Sequence, residues 1–125
     1  MDFNNLIFVG SMCDTLNVIA GTSLPEIEIY RSKGFISHLI KRNHFDCIKH
    51  IDDIPTIIKN PDYVGVNPSE NGNTIELVKR FHKTILIGIK FDNKEGYLYV
   101  STMYVLQEQK LFRRLKSGRL KEYTY

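Results

Sequence analysis

The chain has 125 residues, of which 42% are hydrophobic and 25% charged, and its formal charge is +3. That is enough chain for a core of its own, and it excludes a disordered tail, a low-complexity scaffold or a repeat array. The slight excess of base is compatible with nucleic acid and compels no partner.

Met1 to Asn5 carries no basic leader, and the apolar run Leu6–Val9 is too short for a signal core or a membrane span. An intracellular, cytoplasmic protein with no membrane partner is therefore expected. Cys13 and Cys47 read as reduced thiols. No CxxC, HExxH or carboxylate cluster points to a metal, and no glycine-rich nucleotide loop is present.

In chain order, Leu6–Val9 reads as a short strand ended by Gly10. Ser11 is placed to cap a helix running to about Ala20, with Gly21 as its stop. The alternation from Glu26 to Tyr30 predicts a strand. Ser32 then caps a second helix, in which Phe35, Ile36, Leu39 and Ile40 share one side. His38 and Arg42 fall together near the edge of its polar side, with Lys41 beside them. His44 lies six positions after His38, so the two meet only if the helix ends near Asn43 and the chain turns. Cys47, Ile48 and Ile51 begin another helical pattern. Pro55 opens a further helix, which Asn60-Pro61-Asp62 ends.

The period then changes. Thr74–Phe81, Thr84–Asp92 and Tyr97–Tyr104 are rich in β-branched and aromatic residues and read as strands. The turn from Asp92 to Gly96 makes the last two a hairpin. Tyr63–Val66 is a candidate edge strand. A helix from Val105 to Lys116 buries Leu111, Phe112 and Leu115 and stops at Gly118. Helices followed by an antiparallel meander give an α+β class in one domain, 1–125.

Alternate residues of a strand face opposite sides. Lys79 thus shares a face with Ile75, Leu77 and Phe81, where a lysine either snorkels to the edge or lines a pocket. Thr102 shares a face with Leu98, Val100 and Tyr104 and, as a good strand former, needs no function. Lys110 to Lys121 is basic with no acid, which suits a solvated helix face or a phosphate backbone. Histidines beside Lys33, Lys41 and Arg42 form the combination that phosphate chemistry uses.

Taken in order, IYRSKGFISHLIKRNH, IIKNPDYVGVN, NTIELVKRF, KFDNKEGYLYVSTMY and KSGRLK resemble a phage-borne subfamily of the barnase–EndoU–colicin–RelE-like (BECR) nucleases. The resemblance covers about Ile27 to Lys121. It implies N-terminal helices packed on a curved antiparallel sheet of about four strands. It also implies metal-independent RNA cleavage without a cofactor. RNA is the implied partner, with room for an inhibitor or immunity protein. On this analogy His38, His44, Lys79 and Thr102 are the expected catalytic residues. Lys33, Lys41, Arg42, Arg113, Arg114 and Arg119 are expected to hold the RNA backbone. The alternative is a non-catalytic RNA-binding or interaction module of the same fold.

Overall fold

In the computed structural model, residues 5–70 and 74–124 are described. Residues 1–4, which carry most of the leader reading, lie outside them. The strands β1 (Leu6–Ser11), β2 (Glu28–Ser32), β3 (Tyr63–Val66), β4 (Thr74–Arg80), β5 (Thr84–Asp92), β6 (Tyr97–Val105) and β7 (Leu120–Glu122) form a single sheet. The helices are α1 (Asp14–Ala20), α2 (Phe35–Lys41), α3 (Ile54–Lys59) and α4 (Glu108–Ser117), and a 3-10 segment spans Phe45–Asp53. No helix among the described residues is long and apolar enough to cross a membrane.

The class is α+β, as the change of period predicts, but the sheet is larger than the expected four strands. Its order is β1-β2-β6-β5-β4-β3-β7. The β4-β5-β6 meander is antiparallel throughout. One pair, β2 with β6, is parallel and brief, held at Ile29–Leu98 and Tyr30–Tyr99. β3 is not an edge strand, because β7 pairs along it from Tyr63 to Gly65. That contact requires a glycine: a Cβ at Gly65 would fall 1.8 Å from the Arg119 carbonyl oxygen.

Two apolar layers sandwich the sheet. On one face Leu16, Phe35, Leu39, Cys47, Ile54 and Ile57 from the N-terminal half cover Ile75, Leu77, Ile85, Ile87 and Ile89. On the other, Leu111 of α4 and Leu106, just past β6, pack with Val78, Leu86 and Leu120 of the sheet. The buried hydrocarbon of these layers supplies most of the drive to fold, at about 25 cal/mol per Å². Phe112, expected inside, is 66% exposed, while Leu111 is fully buried. Among the described residues, helix α4 covers only part of its face and no helix lies above Phe8 on the β1-β2 side, where that ring is 56% exposed.

Ser32 ends β2 rather than capping α2, whose N-cap is Gly34. Cys13, not Ser11, precedes α1, and Gly21 ends that helix in the left-handed region as expected. Pro55 does sit in the first turn of α3, where its missing N–H costs no helical hydrogen bond.

Candidate active site

The end of α2 places the two histidines. Asn43 adopts φ 59°, the left-handed conformation that asparagine tolerates better than most residues. The Asn43 N–H donates to the Ile40 carbonyl at 3.1 Å, and the His44 N–H donates to the Leu39 carbonyl at 2.9 Å. This is a complete Schellman stop. It turns the chain sharply, so that His44 comes round to the opening His38 already faces. The condition set by their six-residue separation is thus met.

The opening is a cleft of about 320 Å³, lined on its helical side by His38, Arg42 and His44. The sheet contributes Thr74, Lys90, Ser101, Thr102 and Tyr104, and Asn67 closes the rim. His38 is exposed and its ring stacks on Phe35 at 6.1 Å. His44 is half-buried, with its ring 5.8 Å from that of Tyr104. The Nδ1 of His44 and the hydroxyl of Thr74 are both buried without a hydrogen-bond partner. Such groups are rare and costly in proteins, and functional sites are one setting that retains them.

A bulge brings the β6 hydroxyls to this face. Gly88 pairs with Thr102 and Ile89 with Val100, so Ser101 is the extra residue. An inserted residue reverses the alternation beyond it. Leu98 and Val100 point into the helical core, whereas Thr102 and Tyr104 point to the cleft. The grouping of these four on one face, read from simple parity, is therefore wrong. Gly88 leaves room beneath: a Cβ there would meet the Thr102 methyl at 2.9 Å and the Thr74 methyl at 3.3 Å.

Lys79 does not join the cleft. Its parity is as read, on the face of Ile75 and Leu77. There it snorkels to the rim: Nζ donates to the Asn60 carbonyl at 2.9 Å and lies 3.9 Å from Asp62. Lys90, which the sequence reading passed over, supplies the lysine instead. The signal lay in the hairpin. Pairing outward from the Asp92–Gly96 turn sets Lys90 opposite Tyr99, away from the buried Ile89.

The basic C-terminal residues divide. Arg113, Arg114 and Arg119 line a neighbouring groove. Arg114 donates to the Tyr104 hydroxyl at 2.9 Å, which joins that groove to the cleft. Arg119 is held by buried Glu76 through two bonds of 2.8 and 2.9 Å, and the carboxylate raises its pKa. Much of its charge is therefore spent within the fold. Lys33 and Lys41 are exposed and do not line the cleft.

Two imidazoles, a lysine, an arginine and several hydroxyls around one opening form a donor set suited to anionic phosphate chemistry. Residues 7–113 match the family model PBECR3, phage-Barnase-EndoU-ColicinE5/D-RelE like nuclease3, and the chain belongs to that family. The match takes in β1 and α1, which the sequence resemblance left out, and stops short of the SGRLK segment. No curated protein and no solved structure gave a significant match.

Proposed function

We propose that the protein is an endoribonuclease that uses the ribose 2′-hydroxyl as its nucleophile and needs no metal. The observation that carries this reading is the convergence of His38, His44, Lys90 and Thr102 on one cleft in a chain of a nuclease family. Imidazole exchanges protons near neutrality, so two of them serve as a base and an acid in the same turnover.

One imidazole takes the 2′-hydroxyl proton as the oxygen attacks the adjacent phosphorus. The bond from phosphorus to the 5′-oxygen breaks, and the other imidazole protonates that oxygen. The products are a 2′,3′-cyclic phosphate and a free 5′-hydroxyl. Lys90 and Arg42 offset charge on the phosphate as it grows, and Thr102 and Thr74 offer hydroxyls to its oxygens. Arg113 and Arg114 of the neighbouring groove hold the strand beyond the cleft, and the exposed Lys33 and Lys41 add positive charge on the α2 side. Lys79 has no part in this scheme.

Purified protein incubated with single-stranded RNA in EDTA should cleave it. DNA and fully 2′-O-methylated RNA should be spared, because neither has the nucleophile. Cleavage that needs a divalent ion, or that cuts DNA equally, would reject the reading. RNA binding without any cleavage would favour a binding module.

A further inference from the structure

A row of aromatic side chains leads away from the cleft across the sheet face that α4 leaves bare. Phe8 pairs with Tyr30 across β1 and β2, Tyr30 with Tyr99 across β2 and β6, and Tyr99 with Lys90 across β6 and β5. Residues directly opposite on neighbouring strands share a face, so Phe8, Tyr30, Tyr99 and Lys90 stand in line. Tyr97, two residues before Tyr99, belongs to the same face. The rings touch in sequence: Phe8 to Tyr30 at 6.1 Å, Tyr30 to Tyr97 at 6.2 Å and Tyr97 to Tyr99 at 5.9 Å. The line ends at Lys90, which lines the cleft.

Four rings kept half-buried or exposed on an open face contribute less to the core than they would inside it. Their placement suits a ligand that is itself flat and apolar on its faces. We propose that Phe8, Tyr30, Tyr97 and Tyr99 form a stacking platform for unpaired bases of the RNA whose phosphate occupies the cleft. The proposal rests on the ribonuclease reading and adds the substrate class: single-stranded RNA several nucleotides long. Three strand steps from Lys90 to Phe8 span roughly 14 Å, the scale on which sheet aromatics stack two or three bases.

An acidic hollow of about 530 Å³ borders the platform, formed with Glu26, Glu28 and Glu95 beside Tyr30 and Tyr97. The Glu28 carboxylate accepts a hydrogen bond from the Tyr30 hydroxyl. These acids repel phosphates and accept hydrogen bonds from base amino groups, so they favour the bases facing the rings and the backbone facing solvent. A cationic peptide is the competing occupant. The register of the rings with Lys90 favours RNA, because a cationic peptide gains nothing from a platform that ends at a lysine.

The test compares a single-stranded octaribonucleotide with a dinucleoside monophosphate as substrates, with octamer binding followed by fluorescence anisotropy. Losing one base–aromatic stack weakens binding by roughly 5- to 150-fold. Phe8→Ala and Tyr99→Leu should each reduce the octamer's kcat/KM advantage over the dinucleoside about tenfold, and weaken octamer binding in parallel. Tyr99→Phe, which keeps the ring, should retain both. An octamer advantage and affinity unchanged in Phe8→Ala and Tyr99→Leu would overturn the platform while leaving cleavage intact. Octamer binding that depends on these rings in a protein that cuts nothing would uphold the platform and overturn the nuclease reading. Tighter capture of oligolysine than of RNA, lost in Tyr99→Leu, would overturn the platform in favour of a basic partner.

Discussion

Lys79 and Lys90 stand on neighbouring central strands, and their surroundings separate their roles. Lys79 holds the Asn60 carbonyl at the end of α3, a hydrogen bond worth about 1 kcal/mol net. Its ion pair with Asp62, at 3.9 Å and partly exposed, adds little after solvent screening. Lys90 faces the cleft, where the proposed mechanism has a fixed cation act on charge that grows in the transition state. Lys90→Ala should therefore lower kcat about 10²-fold. Lys79→Ala should leave kcat within about twofold and cost about 1 kcal/mol of stability. Steady-state kinetics with urea unfolding on both variants separates the two, and the reverse pattern would return Lys79 to the site.

Cys47 offers a test of packing beneath the site. Its side chain is fully buried, and its thiol donates to the His44 carbonyl at 3.2 Å. Burial pushes the thiol up to about 11, and the Asp46 carboxylate adds to the shift. A thiol in the unfolded chain ionises near 8.5. Between those values the unfolded chain has released the proton and the folded one has kept it, so the unfolded state binds fewer protons. Stability should thus fall as pH rises through the window, by about 2–3 kcal/mol from this group. Urea unfolding at about pH 8 and about pH 10.5 should show a smaller alkaline loss in Cys47→Ala than in the wild type. Equal losses would mean that the thiol is not protected.

At the scale of elements, the site depends on two local irregularities: the left-handed stop after α2 and the bulge in β6. Valine at position 43 would meet the left-handed penalty of about 1–2 kcal/mol and displace His44 from the cleft. Asn43→Gly accepts the same φ without strain. Asn43→Val should therefore lose both stability and turnover, while Asn43→Gly keeps turnover. Equal activity in the two would show that the turn does not set the position of His44.

These same features decided what could be read in advance. The strands β5 and β6 and the hairpin between them were legible because β-branched runs and a turn containing Gly96 are local signals. For His38 and His44 helix geometry states only the condition for their meeting, a helix end near Asn43 followed by a turn; the left-handed Asn43 that fulfils it is seen in the structure. The bulge was not legible. Ser101 differs from a neighbouring strand residue only in being left out of the pairing, between Gly88–Thr102 and Ile89–Val100, and this single inserted residue reassigns Thr102 and Tyr104 to the other face. Lys79 looked functional because a cation among apolar neighbours is conspicuous, although snorkelling explains it. Lys90 looked ordinary because its face is set by a partner strand.

At the scale of the molecule, the proposed function rests on the part of one sheet face that the described residues leave uncovered. β7 extends the sheet beyond β3 and α4 closes over Val78 and Leu86, and neither contact has a signal within a short window of sequence. What remains open is continuous: the arginine groove, the cleft and the aromatic row, joined through Tyr104 and Lys90. The central claim is that this open face cuts RNA through the 2′-hydroxyl with paired histidines. A DNA oligonucleotide with a single ribose, incubated with the protein in EDTA and resolved by mass spectrometry, tests it most directly. The account predicts one cut, immediately 3′ of the ribose, leaving a 2′,3′-cyclic phosphate and a 5′-hydroxyl. It also predicts cleavage slowed about 10²- to 10⁴-fold in His38→Ala and in His44→Ala. Cuts elsewhere, a 5′-phosphate product, or full activity in both histidine variants would contradict it.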